Sequence, residues 1–272
     1  MQPMIQIFGR WISMYWLSAG VGIVLAYALA LLRARSDRFQ SSVKHVFAAM
    51  TLAVIGGRAG GILFNAVGHI LFFSNRPGFW TMQNWNIILR SGGVLYGGLI
   101  VGFFLIFAYV RIMKLDLRDV SDILVPSIAL FLVFGRLGCF FAGCCFGRVS
   151  AWGVVMHGST RIPVQLIESA LHLYVLIEML RLRPERERPG ILLPAYLAIY
   201  AVGRFFIEFL RGDAIRGVFV LSTSQWISLA ILLTLAVIYT VIKVKKRMRA
   251  AEPLQVNQSI VEARDSAVDK IF

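Results

Sequence analysis

Charge is scarce in this chain. Only 15% of its 272 residues are Asp, Glu, Lys or Arg, whereas 58% are hydrophobic and the mean hydropathy is +0.73. An ordinary soluble domain carries about 25% charged residues. That composition excludes a soluble enzyme. Acidic residues are the scarcest charge, 14 against 28 Lys and Arg, for a formal net charge of +14. Such an excess would suit a nucleic-acid binder, but the basic residues sit mostly in short segments between apolar runs, so no nucleic-acid partner is expected. Cysteine is rare as well. Cys139, Cys144 and Cys145 are an odd number, lack the paired spacing of a zinc site or a disulfide framework and have no histidine beside them. Three such thiols are too few for a convincing metal or redox centre, and no metal is expected. His45, His69, His157 and His172 show no ligand spacing among themselves, and none is assigned to catalysis. Met1 to Gly9 lack a basic start and a cleavage signal, so the run from Ile12 is expected to stay as a span.

Long apolar runs are what the chain has in abundance. Ile12 to Leu32 and Ser222 to Val244 each approach the roughly 20 residues a helix needs to cross hydrocarbon. Hydropathy predicts seven spans, at 12–32, 46–73, 92–112, 121–141, 164–181, 190–209 and 221–243. The fold class is therefore an all-α polytopic membrane protein with about seven transmembrane helices. Basic residues follow the first span (Arg33, Arg35, Arg38, Lys44), the third (Arg111, Lys114, Arg118), the fifth (Arg181, Arg183, Arg186, Arg188) and the seventh (Lys243, Lys245, Lys246, Arg247, Arg249). The positive-inside rule makes those segments cytoplasmic, with the N-terminus outside and the C-terminus inside. Residues 1–245 form the transmembrane domain, and 246–272 a cytoplasmic polar tail, flexible or a surface helix. The outward segments are small. Ser74 to Arg90 carries Trp80 and Trp85, which suits an interfacial stretch, and Trp152 to Met156, between Gly153 and Gly158, suggests a short hairpin.

Six ionisable residues lie inside or at the ends of these spans: Arg58, Arg136, Glu168, Arg204, Glu208 and Arg211. Each costs several kcal/mol in lipid unless it faces protein or water. Tyr200, Arg204, Glu208 and Arg211 follow at i, i+4, i+8 and i+11, so a continuous helix puts all four on one inward face. Two readings stand: an ion-pair ladder that only holds the bundle together, or a site that handles an anion. Glycine clusters around arginine in Gly56-Gly57-Arg58-Ala59-Gly60-Gly61 and in Gly135-Arg136-Leu137-Gly138, and glycine pairs flank Tyr96 at Gly92-Gly93 and Gly97-Gly98. Small residues let helices approach closely. Beside a buried arginine they also leave the guanidinium fork open to phosphate oxygens. Arg58, Arg136 and Arg204 lie on three different spans and are expected to converge on one phospholipid phosphate. Tyr96 offers a phenolic hydroxyl for hydrogen bonding or acid–base work, or else serves packing.

Together these residues resemble the prolipoprotein diacylglyceryl transferase family of bacterial plasma membranes. The resemblance runs from the second span to the seventh. Its most specific part is Gly135-Arg136-Leu137-Gly138-Cys139-Phe140 continuing through Gly143 to Gly147-Arg148. Gly56-Gly57-Arg58, Gly92 to Ile100 and Arg204 to Arg211 align in order, and Pro163-Val164-Gln165-Leu166-Ile167-Glu168 looks like a shortened form of the family's His-Pro-Ser-Gln-Leu-Tyr-Glu. The resemblance implies transfer of the diacylglyceryl group of phosphatidylglycerol to the lipobox cysteine thiol of a prolipoprotein, with release of glycerol phosphate and no cofactor. It implies catalytic roles for Arg136, Tyr96, Arg204 and Glu208, with Arg136 on the phosphate and leaving group, Arg204 supporting it and Glu208 orienting Arg204. Substrate contacts extend to Arg58, Gly97, Gly98, Gly147, Cys139, Gln165, Glu168, Tyr200 and Arg211. Tyr96 stands where the family often has histidine, Cys139 where it has asparagine, and Cys144 where it has an acidic or amide residue; Tyr15 or Trp16 lies near a family tyrosine. A divergent paralogue moving another lipid fragment is the alternative within the enzyme class. A transporter or binder of anionic lipid is the alternative outside it, though the inverted repeats of transporters are not visible.

Overall fold

The computed structural model describes residues 4–7, 9–36, 39, 41–75, 79–82, 84–86, 95–182, 189–212, 217–218 and 220–268. The bundle is built from α1 (Met14–Ala34), α2 (Val43–Phe73), α3 (Leu95–Ile112), α4 (Leu117–Ala142), α5 (Val164–Arg181), α6 (Leu192–Ile207) and α7 (Thr223–Val268). Each apolar run of the sequence thus coincides with a helix. Among the described residues three antiparallel hairpins accompany them: β1 (Met4–Ile7) with β2 (Arg10–Ser13), β3 (Val149–Met156) with β4 (Ser159–Arg161), and β5 (Gly217–Val218) with β6 (Leu221–Ser222). The chain is a polytopic membrane protein. Five helices, α1, α2, α4, α6 with its extension to Leu210, and the Thr223–Lys245 part of α7, are long and apolar enough to cross a membrane, and α3 has a shorter apolar stretch. Large apolar side chains are exposed on their outer faces, Val24 on α1 and Leu71 and Phe72 on α2 among them.

Lipid tails are as apolar as leucine, so close packing rather than water exclusion joins such helices. On α1 the buried residues are Ala19, Gly22, Ala26, Ala30 and Ala34, a stripe of small side chains that seats the helix along α4. Ser18 Oγ donates to the Phe134 carbonyl at 2.6 Å across that contact. The α2–α3 contact is tighter. A methyl group on Gly56 would lie 2.7 Å from Gly102 Cα, and one on Gly98 would lie 2.6 Å from the Gly57 carbonyl oxygen. α5 buries polar side chains, Gln165, Glu168, Ser169 and His172, in its first half and Val175, Leu176 and Met179 in its second, with Leu173, Tyr174 and Ile177 exposed. α7 is peripheral, with Leu233, Val237, Tyr239 and Val241 all exposed.

α4 is the central strut, packed on both α1 and α5. Its start is capped by Asp116, whose carboxylate accepts from the Arg118 amide at 2.9 Å. In its first turns two acids that the sequence reading did not single out tie down the neighbouring connections. Asp119 accepts from the Ser41 amide at 2.9 Å, and Asp122 accepts from the Gly190 and Leu192 amides at 2.6 and 2.9 Å. Its end is a left-handed glycine, Gly143, at φ 71°, after which the Cys144 amide returns to the Cys139 carbonyl at 3.1 Å. The C-terminal end of α4, the start of α5, the end of α6 and the start of α7 all meet at one end of the bundle, where the β3–β4 hairpin also lies. The hairpin expected near 152–156 is present and longer, and closes through His157 and Gly158, both at positive φ, as a two-residue turn requires.

Candidate active site

Glu168, one turn into α5 and 1% exposed, is the hub of this end of the bundle. Its Oε2 lies 2.8 Å from Arg136 Nε on α4. Its Oε1 is paired with Arg204 Nη1 on α6 and lies 3.7 Å from Arg211 Nη1. Arg204 also reaches Glu208 Oε2 at 2.5 Å and donates to Ser224 Oγ on α7 at 3.1 Å. Three guanidinium groups therefore face two carboxylates in a buried cluster. Arg211 also adjoins the Cys145 thiol.

Of the ladder expected from Tyr200 to Arg211, Arg204 and Glu208 pair with one another, while Tyr200 and Arg211 find partners on α5. The α-helix stops at Ile207, and Glu208–Leu210 tighten into a 3-10 turn. Arg211 then leaves the helix in extended conformation and bridges to Gly147. The backbone thus turns Arg211 toward α5. Tyr200, one turn before Arg204, stacks on the His172 ring with centroids 5.0 Å apart and an interplanar angle of 18°, and Tyr196 continues the stack at 5.9 Å. His172 is buried beneath the arginines, a residue that sequence reasoning passed over. Its signal was the four-residue spacing from Glu168, which puts both on one face of α5.

Gly147 is a close-approach position, because a methyl group there would lie 2.5 Å from the Ile162 carbonyl oxygen and 2.8 Å from Val164 Cγ2. Gln165 is fully buried. Its Nε2 donates to the Cys144 carbonyl at 2.7 Å, so it braces the turn after α4. That turn places Cys139, Cys144 and Cys145 with their sulfur atoms all within 4.8 Å of one another. The Cys145 thiol is held below the ordinary thiol range, chiefly by hydrogen bonds from the Cys139 and Cys144 thiols and further by the adjacent Arg211 guanidinium. Of the two aromatic candidates on α1, Tyr15 borders this region: it packs on Gly138 and lies within electrostatic reach of Cys139 and Arg136.

Three sequence-expected positions are placed elsewhere. Arg58 is exposed on α2 with its guanidinium over the Trp16 ring, 5.6 Å from the centroid, so the arginine that joins Arg136 and Arg204 is Arg211 instead. Gly97 and Gly98 are buried in the α2–α3 contact, where a methyl group on Gly97 would lie 2.5 Å from Phe64 Cβ. Their lack of a side chain serves helix approach. The side chain of Tyr96, together with Gly92 and Gly93, lies outside the described residues, as do Arg38, Arg183, Arg186 and Arg188. Trp80 and Trp85 gather around the buried Phe79 ring, at 5.0 and 6.0 Å.

A family model described as prolipoprotein diacylglyceryl transferase matches residues 2–241. The chain belongs to that family. Among its relatives, the phosphatidylglycerol–prolipoprotein diacylglyceryl transferase of Clostridium tetani is 32% identical over 239 residues, covering 84% of this chain and 93% of the relative. A second protein of that name from Clostridium perfringens is 33% identical over 261 residues, covering 91% and 97%. The Helicobacter hepaticus relative is 33% identical over 249 residues, 82% of each chain. The matched region contains the whole arginine cluster, from Arg136 on α4 to Arg211, and the three thiols beside it.

Proposed function

We propose that this chain transfers the diacylglyceryl group of phosphatidylglycerol to the lipobox cysteine of an exported prolipoprotein in a bacterial plasma membrane. The observation that carries the reading is the buried cluster of Arg136, Arg204 and Arg211 gathered around Glu168 and Glu208. A phosphodiester headgroup offers the oxygens that guanidinium forks grip best. Arg136 and Arg204 take the phosphate oxygens, Glu208 and Ser224 hold Arg204 in position, and Glu168 keeps the guanidinium groups together when the lipid is absent. The acceptor sulfur, as thiolate, forms a carbon–sulfur bond to the terminal glyceryl carbon of the diacylglyceryl group. The carbon–oxygen bond to phosphate breaks, and its electron pair leaves on glycerol phosphate. That product carries more negative charge than the bound lipid, so guanidinium donors in a site of low dielectric stabilise the departing group more than the ground state. Lone glycerophosphate release without an acceptor would be hydrolysis, which a dry site disfavours.

Topology supports the same reading. The arginine cluster lies at the end of the bundle opposite Arg33, Arg111 and Lys114, and the positive-inside rule then faces it outward, where an exported acceptor arrives. The test is mass spectrometry of a synthetic lipobox peptide incubated with the purified protein and phosphatidylglycerol in nanodiscs. A diacylglyceryl thioether on the peptide cysteine with free glycerol phosphate is the expected result. A folded, lipid-binding protein that yields no adduct would instead favour a paralogue that moves another lipid fragment, the reading that Cys139 and Cys144 support by replacing the family's amide and acidic side chains.

A further inference from the structure

Cys139 and Cys144, five positions apart along the chain, are brought together in space. With Cys145 they form the sulfur cluster at the end of α4. The backbone is shaped for it. Gly143 reverses the chain in the left-handed region, and Cys145 itself sits at φ 59°, a conformation that costs a non-glycine residue on the order of 1 kcal/mol and persists only where its surroundings demand it. The turn is braced from both sides, by Gln165 on the Cys144 carbonyl at 2.7 Å and by His157 Nε2, 2.7 Å from the Gly143 carbonyl oxygen. Cys144 is exposed while Cys139 and Cys145 are half-buried, so the cluster opens on one side only.

Three soft ligands drawn together by a braced turn and open on one side are what a catalytic zinc site uses: three protein ligands and one exchangeable position. Thiolates select zinc and copper(I) over harder cations. A thiol that enters the open position of such an ion is deprotonated outright. The cluster also borders the phosphate-binding groups, since Cys145 adjoins Arg211 and Cys139 lies within electrostatic reach of Arg136.

We propose that Cys139, Cys144 and Cys145 form a three-thiolate site for a zinc-type cation whose open fourth position takes the acceptor cysteine as a thiolate beside the bound lipid phosphate. This rests on the transferase reading above. Binding of the ion releases the cysteine protons to solvent, and binding of the acceptor releases one more. In the transfer step the metal-held sulfur supplies the electron pair of the new carbon–sulfur bond, while the carbon–oxygen pair departs with glycerol phosphate. No oxidation state changes. The thioether product is a neutral and weak ligand, so it leaves and the fourth position reopens. The spacing that argued against a metal in the sequence, one cysteine followed by an adjacent pair five residues later, is supplied with its fourth donor by the substrate.

The test titrates Zn²⁺ and Cd²⁺ into the reduced full-length protein in nanodiscs without phosphatidylglycerol. One equivalent of metal is expected, with at least tenfold weaker retention in Cys139→Ser, Cys144→Ser and Cys145→Ser, each checked for unchanged thermal unfolding of the metal-free protein. With Cd²⁺ in place, a single-cysteine lipobox peptide raises the ultraviolet thiolate-to-cadmium charge-transfer band by about a third as a fourth thiolate joins the tetrahedral site, and the serine version of the peptide does not. Metal uptake no greater than in the triple-serine variant overturns the proposal, as does a disulfide between two of the thiols in freshly isolated protein. Uptake without a response to the cysteine peptide overturns it too. An adduct formed at full rate in strong chelator overturns the metal role and leaves the transferase reading intact. Metal and peptide binding with no adduct from phosphatidylglycerol leaves the site intact and overturns that reading.

Discussion

Glu168 Oε2 on α5 lies 2.8 Å from Arg136 Nε on α4, and the same carboxylate is also paired with Arg204 on α6. One side chain, 1% exposed, thereby binds three helices through charge. Removing one partner of a buried ion pair leaves the other uncompensated, at a cost of about 3–5 kcal/mol. Glu168→Ala is expected to lower thermal stability in detergent by that order. Glu168→Gln keeps the shape but removes the charge, and its loss of stability should be largely recovered by adding phosphatidylglycerol, whose phosphate replaces the missing anion. Unfolding midpoints with and without lipid check this.

Arg136→Lys is expected to remain folded and to lose most turnover. Lysine retains the charge but not the planar fork, so about 10- to 100-fold in kcat/KM is at stake. Near-normal peptide lipidation by this variant would remove Arg136 from the chemistry.

Tyr96 is tested by removing one oxygen. If its hydroxyl exchanges a proton during transfer, Tyr96→Phe lowers kcat by roughly 100-fold while lipid binding, measured separately, is retained. An unchanged kcat would return Tyr96 to packing.

Asp122→Ala should separate stability from activity. It strips the acceptor from the Gly190 and Leu192 amides at the end of the bundle remote from the arginines, and leaving buried donors unpaired costs about 1–3 kcal/mol each. The unfolding midpoint falls, whereas the kcat of the folded fraction stays that of the parent chain.

Much of this molecule can be read along the chain because membrane helices obey a one-dimensional rule. A run of apolar residues long enough to cross hydrocarbon forms a helix whatever surrounds it. The runs at 12–32 and 46–73 lie on α1 and α2, whereas α5, at 164–181, is not among the described helices apolar enough to cross a membrane; intramembrane charge alone marks Arg136, Glu168, Arg204 and Glu208 as facing protein. What the sequence does not disclose is which charge meets which. Glu168 is as far as 36 positions from Arg204, and only the antiparallel return of α5 and α6 makes them neighbours. Arg58 obeys the same rule of costly charge, yet it satisfies itself over the face of Trp16 at the surface. Gly97 and Gly98 show the opposite ambiguity. A small residue beside a site and a small residue in a helix contact look identical in sequence, and here the partner backbone of α2 decides. The sulfur cluster was hidden for a third reason: its spacing resembles no closed metal site, and a left-handed Gly143 followed by a left-handed Cys145 is needed to fold it inward.

Helix α7 touches the arginine cluster through Ser224, 3.1 Å from Arg204, yet exposes Leu233, Val237, Tyr239 and Val241 further along. Its first turn is anchored on α6 while the rest of its apolar stretch is open to lipid, and phosphatidylglycerol, the lipid substrate of this transferase family, comes from the bilayer. Supply to such a site is counted in two dimensions, as the mole fraction of phosphatidylglycerol in the leaflet and its lateral diffusion. Diluting vesicles in buffer leaves the rate per protein unchanged, whereas diluting phosphatidylglycerol with a zwitterionic lipid slows it.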